Sequence, residues 1–203
     1  NRNADGRKPS EDEPGTSSPD DEHYLEQWHL REMLAPAAWS TTRGNQDVTI
    51  AIIDDAVDVN HEDLSGNLVD QSRWRDTYDE DDDPTPENDL AAHGTAVAGI
   101  AAAVGNNEKG VAGVCPDCSI LPVRTALDYD GTAADKAEGI VWAVQHGADV
   151  LNLSWKETDT PADYIRHSIL QVIKAEKGMA LWSLLLQVMM EKNQLDHLLD
   201  TQG

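Results

Sequence analysis

From residue 47 onward the chain alternates short uninterrupted apolar runs with longer segments of helical character, and this alternation constrains the fold more than any other feature. DVTIAIID (47–54) is apolar on both alternating faces and ends in acid, as a strand buried on both sides does. HGTAVAGIAAAVG (93–105) reads as a small-residue helix stopped by Gly105, and SILPVRTAL (119–127) as a second strand. TAADKAEGIVWAVQHG (132–147) opens with a capping pattern at Thr132 and Asp135, carries an apolar stripe and closes on Gly147. ADVLNLSW (148–155) is a third strand, and residues 161–178 form a helix with Pro161 in its first turn. Strands joined through helices of this length run parallel, which predicts an α/β fold with chemistry gathered at the carboxyl ends of the strands.

The remaining sequence is dominated by acid. There are 15 Lys+Arg against 38 Asp+Glu, a net charge of −23, which excludes a nucleic-acid backbone as partner because phosphate binding needs a basic face. No run of about 18 apolar residues exists, so no membrane-spanning helix is expected. Residues 1–22 have no aliphatic side chain larger than Ala and are expected to form a disordered acidic arm. A second acidic clump, Asp76 to Asp89, has no Lys or Arg within it. It reads either as a solvated loop or as a cation site or rim favouring basic substrates. Cys115 and Cys118 stand in GVCPDCS, where a C-x-x-C suits a small disulfide, half a metal site or a redox pair. A zinc site wants two more ligands and no second pair exists, which favours a loop staple in an oxidising compartment. The chain starts at Asn1 with no visible signal peptide, as a processed chain or a fragment does.

Asp54 closes the first strand, and His93 opens the small-residue helix that follows. A carboxylate so placed can hold an imidazole in one tautomer and stabilise its protonated form while it acts as a base. The strings AIIDDAVDVNHEDL, HGTAVAGIAAAVGNNEKGVAGV and ADVLNLSW together resemble the subtilisin-like serine proteases, co-linearly across roughly residues 21–178. That resemblance implies a three-layer parallel sheet of subtilisin type, with Asp54 and His93 as the triad aspartate and histidine. It also implies that Asn152 and Ser154 line a cleft where an extended peptide adds as a strand. DDEHYLEQWHL, the Asp54-Asp55 pair, HEDL and the Asp-rich loop are similar to the kexin-like branch. So is Ser154-Trp155 followed by Asp159, whose counterpart segment receives basic side chains; Ala56 and Lys156 depart from the pattern, both standing where Gly is usual. A calcium site is implied as well, with carboxylates from Asp21 and Asp63 and the side-chain oxygen of Asn107. Carbonyls of Gly105, Lys109 and Val111 would complete it, and GNNEKGV (105–111) suits such a tight polar loop.

Two parts of the family's machinery have no counterpart in these 203 residues: the oxyanion Asn of an AAGN-x-G segment and the nucleophile of a GTS-x-A-x-P segment. The segment after Gly178, MALWSLLLQVMMEKNQLDHLLDTQG, reads instead as an apolar or amphipathic helix. In a frame shifted by one base, Met189-Met190-Glu191 forces Asp-Gly, and with permissive codons Leu181 to Glu191 becomes VVVAAAGNDG. That string resembles the absent strand and oxyanion Asn. It predicts a frameshift near Ala180 or Leu181 that leaves 181–203 an out-of-frame tail; the competing view is a genuine helix serving as a partner surface.

The expectation is therefore an incomplete subtilisin-like peptidase domain over residues 23–180, monomeric and secreted or extracytoplasmic, with a structural Ca²⁺ and a peptide or protein substrate. It is expected to be inactive alone for want of the serine. A non-catalytic calcium-dependent peptide-binding module is the alternative.

Overall fold

The computed structural model describes residues 18–88, 91–126 and 131–154; the helix expected at 161–178 and the tail 181–203 lie outside the described residues. The chain opens with two five-residue helices, α1 (Trp28–Glu32) and α2 (Ala35–Trp39). Strand β1 (Thr49–Asp54), the two-residue strand β2 (Arg75–Asp76) and helix α3 (His93–Ala102) follow. Then come β3 (Ser119–Arg124), α4 (Ala133–Gln145) and β4 (Val150–Asn152). The four strands form one parallel sheet in the order β2-β3-β1-β4, the expected α/β architecture.

Strand alternation divides the core into two layers. Ile52 of β1 and Ile120 of β3 point toward α3 and pack with Val57, Leu64, Ala98 and Ala102. Ala51, Ile53, Leu121 and Val123 point to the other face and pack with Ile140 and Ala143 of α4. A third cluster of Tyr24, Leu30, Ala35 and Ala112 fastens the amino-terminal helices to the loop after α3. Gln27 pins the same contact, donating to the Ala112 carbonyl at 2.8 Å and accepting from its N–H at 2.9 Å.

The helix boundaries have local causes. Thr132 and Asp135 form the reciprocal cap read from the sequence, with Asp135 N donating to Thr132 Oγ1 at 3.2 Å and Thr132 N to Asp135 Oδ2 at 2.7 Å. Helix α3 ends at Ala102 rather than at Gly105. Ala103 turns extended, which lets the Val104 N–H donate to the Asp63 carbonyl at 2.9 Å. Cys115 and Cys118 form a disulfide in the turn leading into β3.

Candidate active site

Asp54 is the last residue of β1 and His93 the first of α3, so the parallel sheet brings the two to the same carboxyl end. His93 Nδ1 lies 2.7 Å from Asp54 Oδ1. The carboxylate side chain is 5% exposed and the imidazole 41% exposed, so a buried anion carries a ring that reaches solvent. With the proton on Nδ1 shared with Asp54, Nε2 is the unprotonated ring nitrogen and the basic position. The bond to Asp54 raises the His93 pKa above the ordinary imidazole range, against the opposing effect of burial. Burial pushes the Asp54 carboxyl up, and the bonds from His93 and the Asp55 N–H oppose that push. Asp54 Oδ2 is buried with no hydrogen-bond partner among the described residues.

Ala92, which precedes α3, makes no side-chain cap. Asp55 does the capping from across the fold: its Oδ1 accepts from Gly94 N at 2.7 Å and its Oδ2 from His93 N at 3.3 Å. A carboxylate at this end also complements the helix dipole. Gly94 is required by close approach, because a Cβ there would lie 2.8 Å from the Asp54 Cβ and nearer still to the Ala56 carbonyl oxygen. Asp54, Asp55 and His93 offer ligand atoms within 4.8 Å of one another, the one such grouping among the described residues. Their mutual bonds account for it as an acid–base pair plus a helix cap.

Asn152 closes β4 and pairs in register with Ile52, two residues before Asp54. Ser154 Oγ donates to Asn152 Oδ1 at 2.7 Å. The structure thus brings Asn152 and Ser154 to the end of the sheet that carries Asp54; Trp155 and Asp159 lie outside the described residues. A separate cavity of about 810 Å³ runs beside α3, lined by Ala92, Thr95, Ala96 and Ile100 with His29 and His61 opposite, and neither Asp54 nor His93 lines it.

Of the six residues expected to form a calcium site, Asp63, Asn107, Lys109 and Val111 are linked by hydrogen bonds, and Asp21 bonds to Asn106 in the same loop. Asp63, 2% exposed, accepts from Asn107 Nδ2 at 2.8 Å and from Val111 N at 2.8 Å. Asp21, also buried, accepts from Asn106 N at 2.9 Å through Oδ2, while its Oδ1 is buried with no partner among the described residues. The loop from Gly105 to Val111 turns through positive φ at Asn106, Glu108 and Gly110, and a Cβ on Gly110 would collide with the Asp63 carboxylate. Lys109 N donates to Asn107 Oδ1 at 2.9 Å. Two buried carboxylates beside a tight loop, one of them with an oxygen that has no partner among the described residues, form an oxygen donor set suited to a hard cation.

Sequence reasoning missed two contributors. Asp55 was visible only as half of an acidic doublet, and its partners lie 38 and 39 residues away. Arg124, the last residue of β3, is 2% exposed and takes three carboxylates from the acidic segment: Asp76 at 2.7 Å, Asp79 at 2.9 Å and Glu87 at 3.0 Å.

The subtilase family model, peptidase S8, matches residues 45–186, more than half of the chain. A thermophilic serine proteinase of Bacillus sp. strain AK1 is 43% identical over 140 residues, covering 68% of this chain and 33% of that protein. A calcium-dependent protease of a Nostoc species is 39% identical over 149 residues, covering 67% of this chain and 21% of that protein. Among solved structures, a protease of Pseudoalteromonas arctica superposes with a TM-score of 0.68 at 28% identity, covering 78% of this chain and 56% of that one. A parallel sheet with an Asp–His pair at its carboxyl end thus coincides with a family match over the same residues, and the chain belongs to the subtilase family. It spans about a third or less of the length of these two relatives.

Proposed function

We propose that this chain supplies the general base and its orienting carboxylate to a serine endopeptidase of the subtilisin type. The carrying observation is the 2.7 Å contact between buried Asp54 and half-exposed His93. In the proposed reaction His93 Nε2 takes the proton of a serine hydroxyl as its oxygen attacks the scissile carbonyl, then returns it to the leaving amine. Asp54 holds the tautomer and stabilises the imidazolium formed between the two transfers. An extended peptide would lie along β4 with Asn152 and Ser154 beside it, and the resemblance adds Trp155 and Asp159 to the residues that would receive its side chains. The finer placement near the kexin-like branch, with a preference for basic side chains, rests on the sequence strings alone.

Asp21, Asp63 and Asn107, with carbonyls of Gly105, Lys109 and Val111, would hold Ca²⁺. The ion would supply fixed positive charge between buried carboxylates and stiffen the loop behind α3. The similarity to the calcium-dependent protease of a Nostoc species supports this. The Cys115–Cys118 disulfide supports a secreted or extracytoplasmic setting. Among the described residues no helix is long and apolar enough to cross a membrane.

No AAGN-x-G or GTS-x-A-x-P string stands in the 203 residues, and in this reading hydrolysis draws its nucleophile and oxyanion Asn from a segment outside them. An out-of-frame origin of 181–203 accounts for that: the shifted frame restores the AAGN string, and it requires Val188 to be encoded by GTA. A fluorophosphonate probe tests the reading of the protein itself. The purified chain is expected to remain unlabelled, and covalent labelling overturns the requirement for a further segment. Peptide binding by the unlabelled chain that depends on Ca²⁺ would favour the alternative, a non-catalytic calcium-dependent peptide-binding module.

A further inference from the structure

The acidic segment is held chiefly by the buried Arg124, while Arg75 at its start adds a bond to the Asp81 carbonyl and a 3.9 Å pair with Asp82. Arg124 Nη1 donates to Asp76 Oδ2 and Asp79 Oδ2, Nη2 donates to Glu87 Oε1, and the guanidinium lies 5.4 Å from the centre of the Tyr78 ring. Asp76 is 0% exposed, so its charge is tolerable only beside a buried partner. The backbone reinforces the arrangement: Thr77 N donates to the Arg124 carbonyl at 2.9 Å, and Val57 N donates to the Pro84 carbonyl at 2.9 Å. The segment is thereby fastened at one end to β3 and at the other to the turn after Asp54 and Asp55, the residues that bond and cap His93. Glu87, its outermost anchor, precedes His93 by six residues. Arg124 is also the register partner of Asp54, so both lie on the sheet face that α3 covers.

We propose that Arg124 is a positioning residue for His93: its buried guanidinium gathers the 76–88 segment onto the ends of β1 and β3 and so fixes the turn that carries Asp54 and Asp55, the residues that bond and cap His93. The proposal rests on the reading of His93 as the base. Guanidinium geometry is essential to it, because one planar fork serves three carboxylates, which an ammonium of the same charge does not reproduce.

The test is the imidazole titration of His93 followed by NMR in the 203-residue chain, with its resonance assigned by His93→Gln. In Arg124→Lys, which keeps the charge, and in Glu87→Gln, the His93 pKa is expected to fall by roughly half a pH unit as the bond to Asp54 loosens. Glu138→Gln breaks the 2.8 Å pair between Arg75 and Glu138 and removes one carboxylate, but leaves every partner of Arg124 in place. It is expected to leave His93 unmoved. If Arg124→Lys fails to fold, Glu87→Gln carries the test, since that carboxylate is about half exposed. A raised wild-type value unmoved by either variant overturns the proposal, and so does an equal fall in Glu138→Gln. A wild-type His93 titrating in the ordinary range overturns the acid–base reading as well.

Discussion

Replacing Gly94 by Ala probes the junction on which the candidate site depends. In a solvent-facing helix the change stabilises by about 1 kcal/mol through reduced backbone entropy. Here the added Cβ would stand 2.8 Å from the Asp54 Cβ and closer to the Ala56 carbonyl oxygen. Carbon atoms in contact prefer about 3.5–4.0 Å, so the first turn of α3 has to withdraw from the end of β1 by about 1 Å. Overpacking costs about 1–3 kcal/mol. Both obstacles are backbone or backbone-attached atoms, which places the cost at the upper end and leaves a net loss of about 2 kcal/mol. For a chain of this size that lowers Tm by about 4–8 °C. The same withdrawal stretches the Asp54–His93 contact from 2.7 Å to about 3.5 Å, beyond hydrogen-bonding range. Urea unfolding gives the stability change, and His93 titration by NMR gives the second effect. A midpoint equal to or above the wild type, with His93 titration unchanged, refutes the close-approach argument.

Stability should also depend on pH through His93. Its folded pKa is raised by Asp54, so the stabilisation is complete below the unfolded value of about 6.5 and is lost as pH rises through the folded value. The stability difference between wild type and His93→Gln is therefore expected to be larger near about pH 6 than near about pH 9; a difference that grows with pH contradicts the pairing. Adding Ca²⁺ to chelator-treated chain is expected to raise the unfolding free energy read from urea titration by about 2.7 kcal/mol at a hundredfold excess over Kd. Asp63→Asn should abolish that increment, and an undiminished increment would place any Ca²⁺ elsewhere. Thr132→Ala should cost about 1 kcal/mol by removing the cap of α4, with His93 titration unaffected.

The elements legible in the sequence are those whose signal is local. β1 reads as a strand because Ala51, Ile52 and Ile53 are all fully buried and the run leaves no polar face. α4 reads as a helix from its capping pair, and the Asp54 and His93 positions follow from where β1 stops and α3 starts. Helices α1 and α2, five residues each, are too short to show a period. β2 has two residues and exists only because Arg75 and Asp76 meet Val123 and Arg124 in register. The cap of α3 was hidden for the same reason: Ala92 shows no capping side chain, and the carboxylate that serves comes from the end of another element.

The acidic segment shows how composition misleads when a charge is answered from elsewhere in the chain. Asp76 to Asp89 contains no cation, and a local reading leaves it solvated or waiting for an ion. The sheet register settles part of the matter: Asp76 pairs with Arg124 across β2 and β3, so the most buried of these acids is neutralised by its own strand neighbour. Arg124 in turn pairs in register with Asp54 across β3 and β1. Asp54 at the end of β1, Arg124 at the end of β3 and Asp76 at the end of β2 are therefore one row across the sheet, with Asp55 next in sequence to Asp54. A parallel sheet ends all its strands on one side, and that geometry turns three separate stretches of sequence into a single charged shelf beneath His93. Within that shelf the guanidinium takes up Asp76, Asp79 and Glu87, the Asp55 carboxylate is occupied in capping α3, and Asp54 is left to the imidazole.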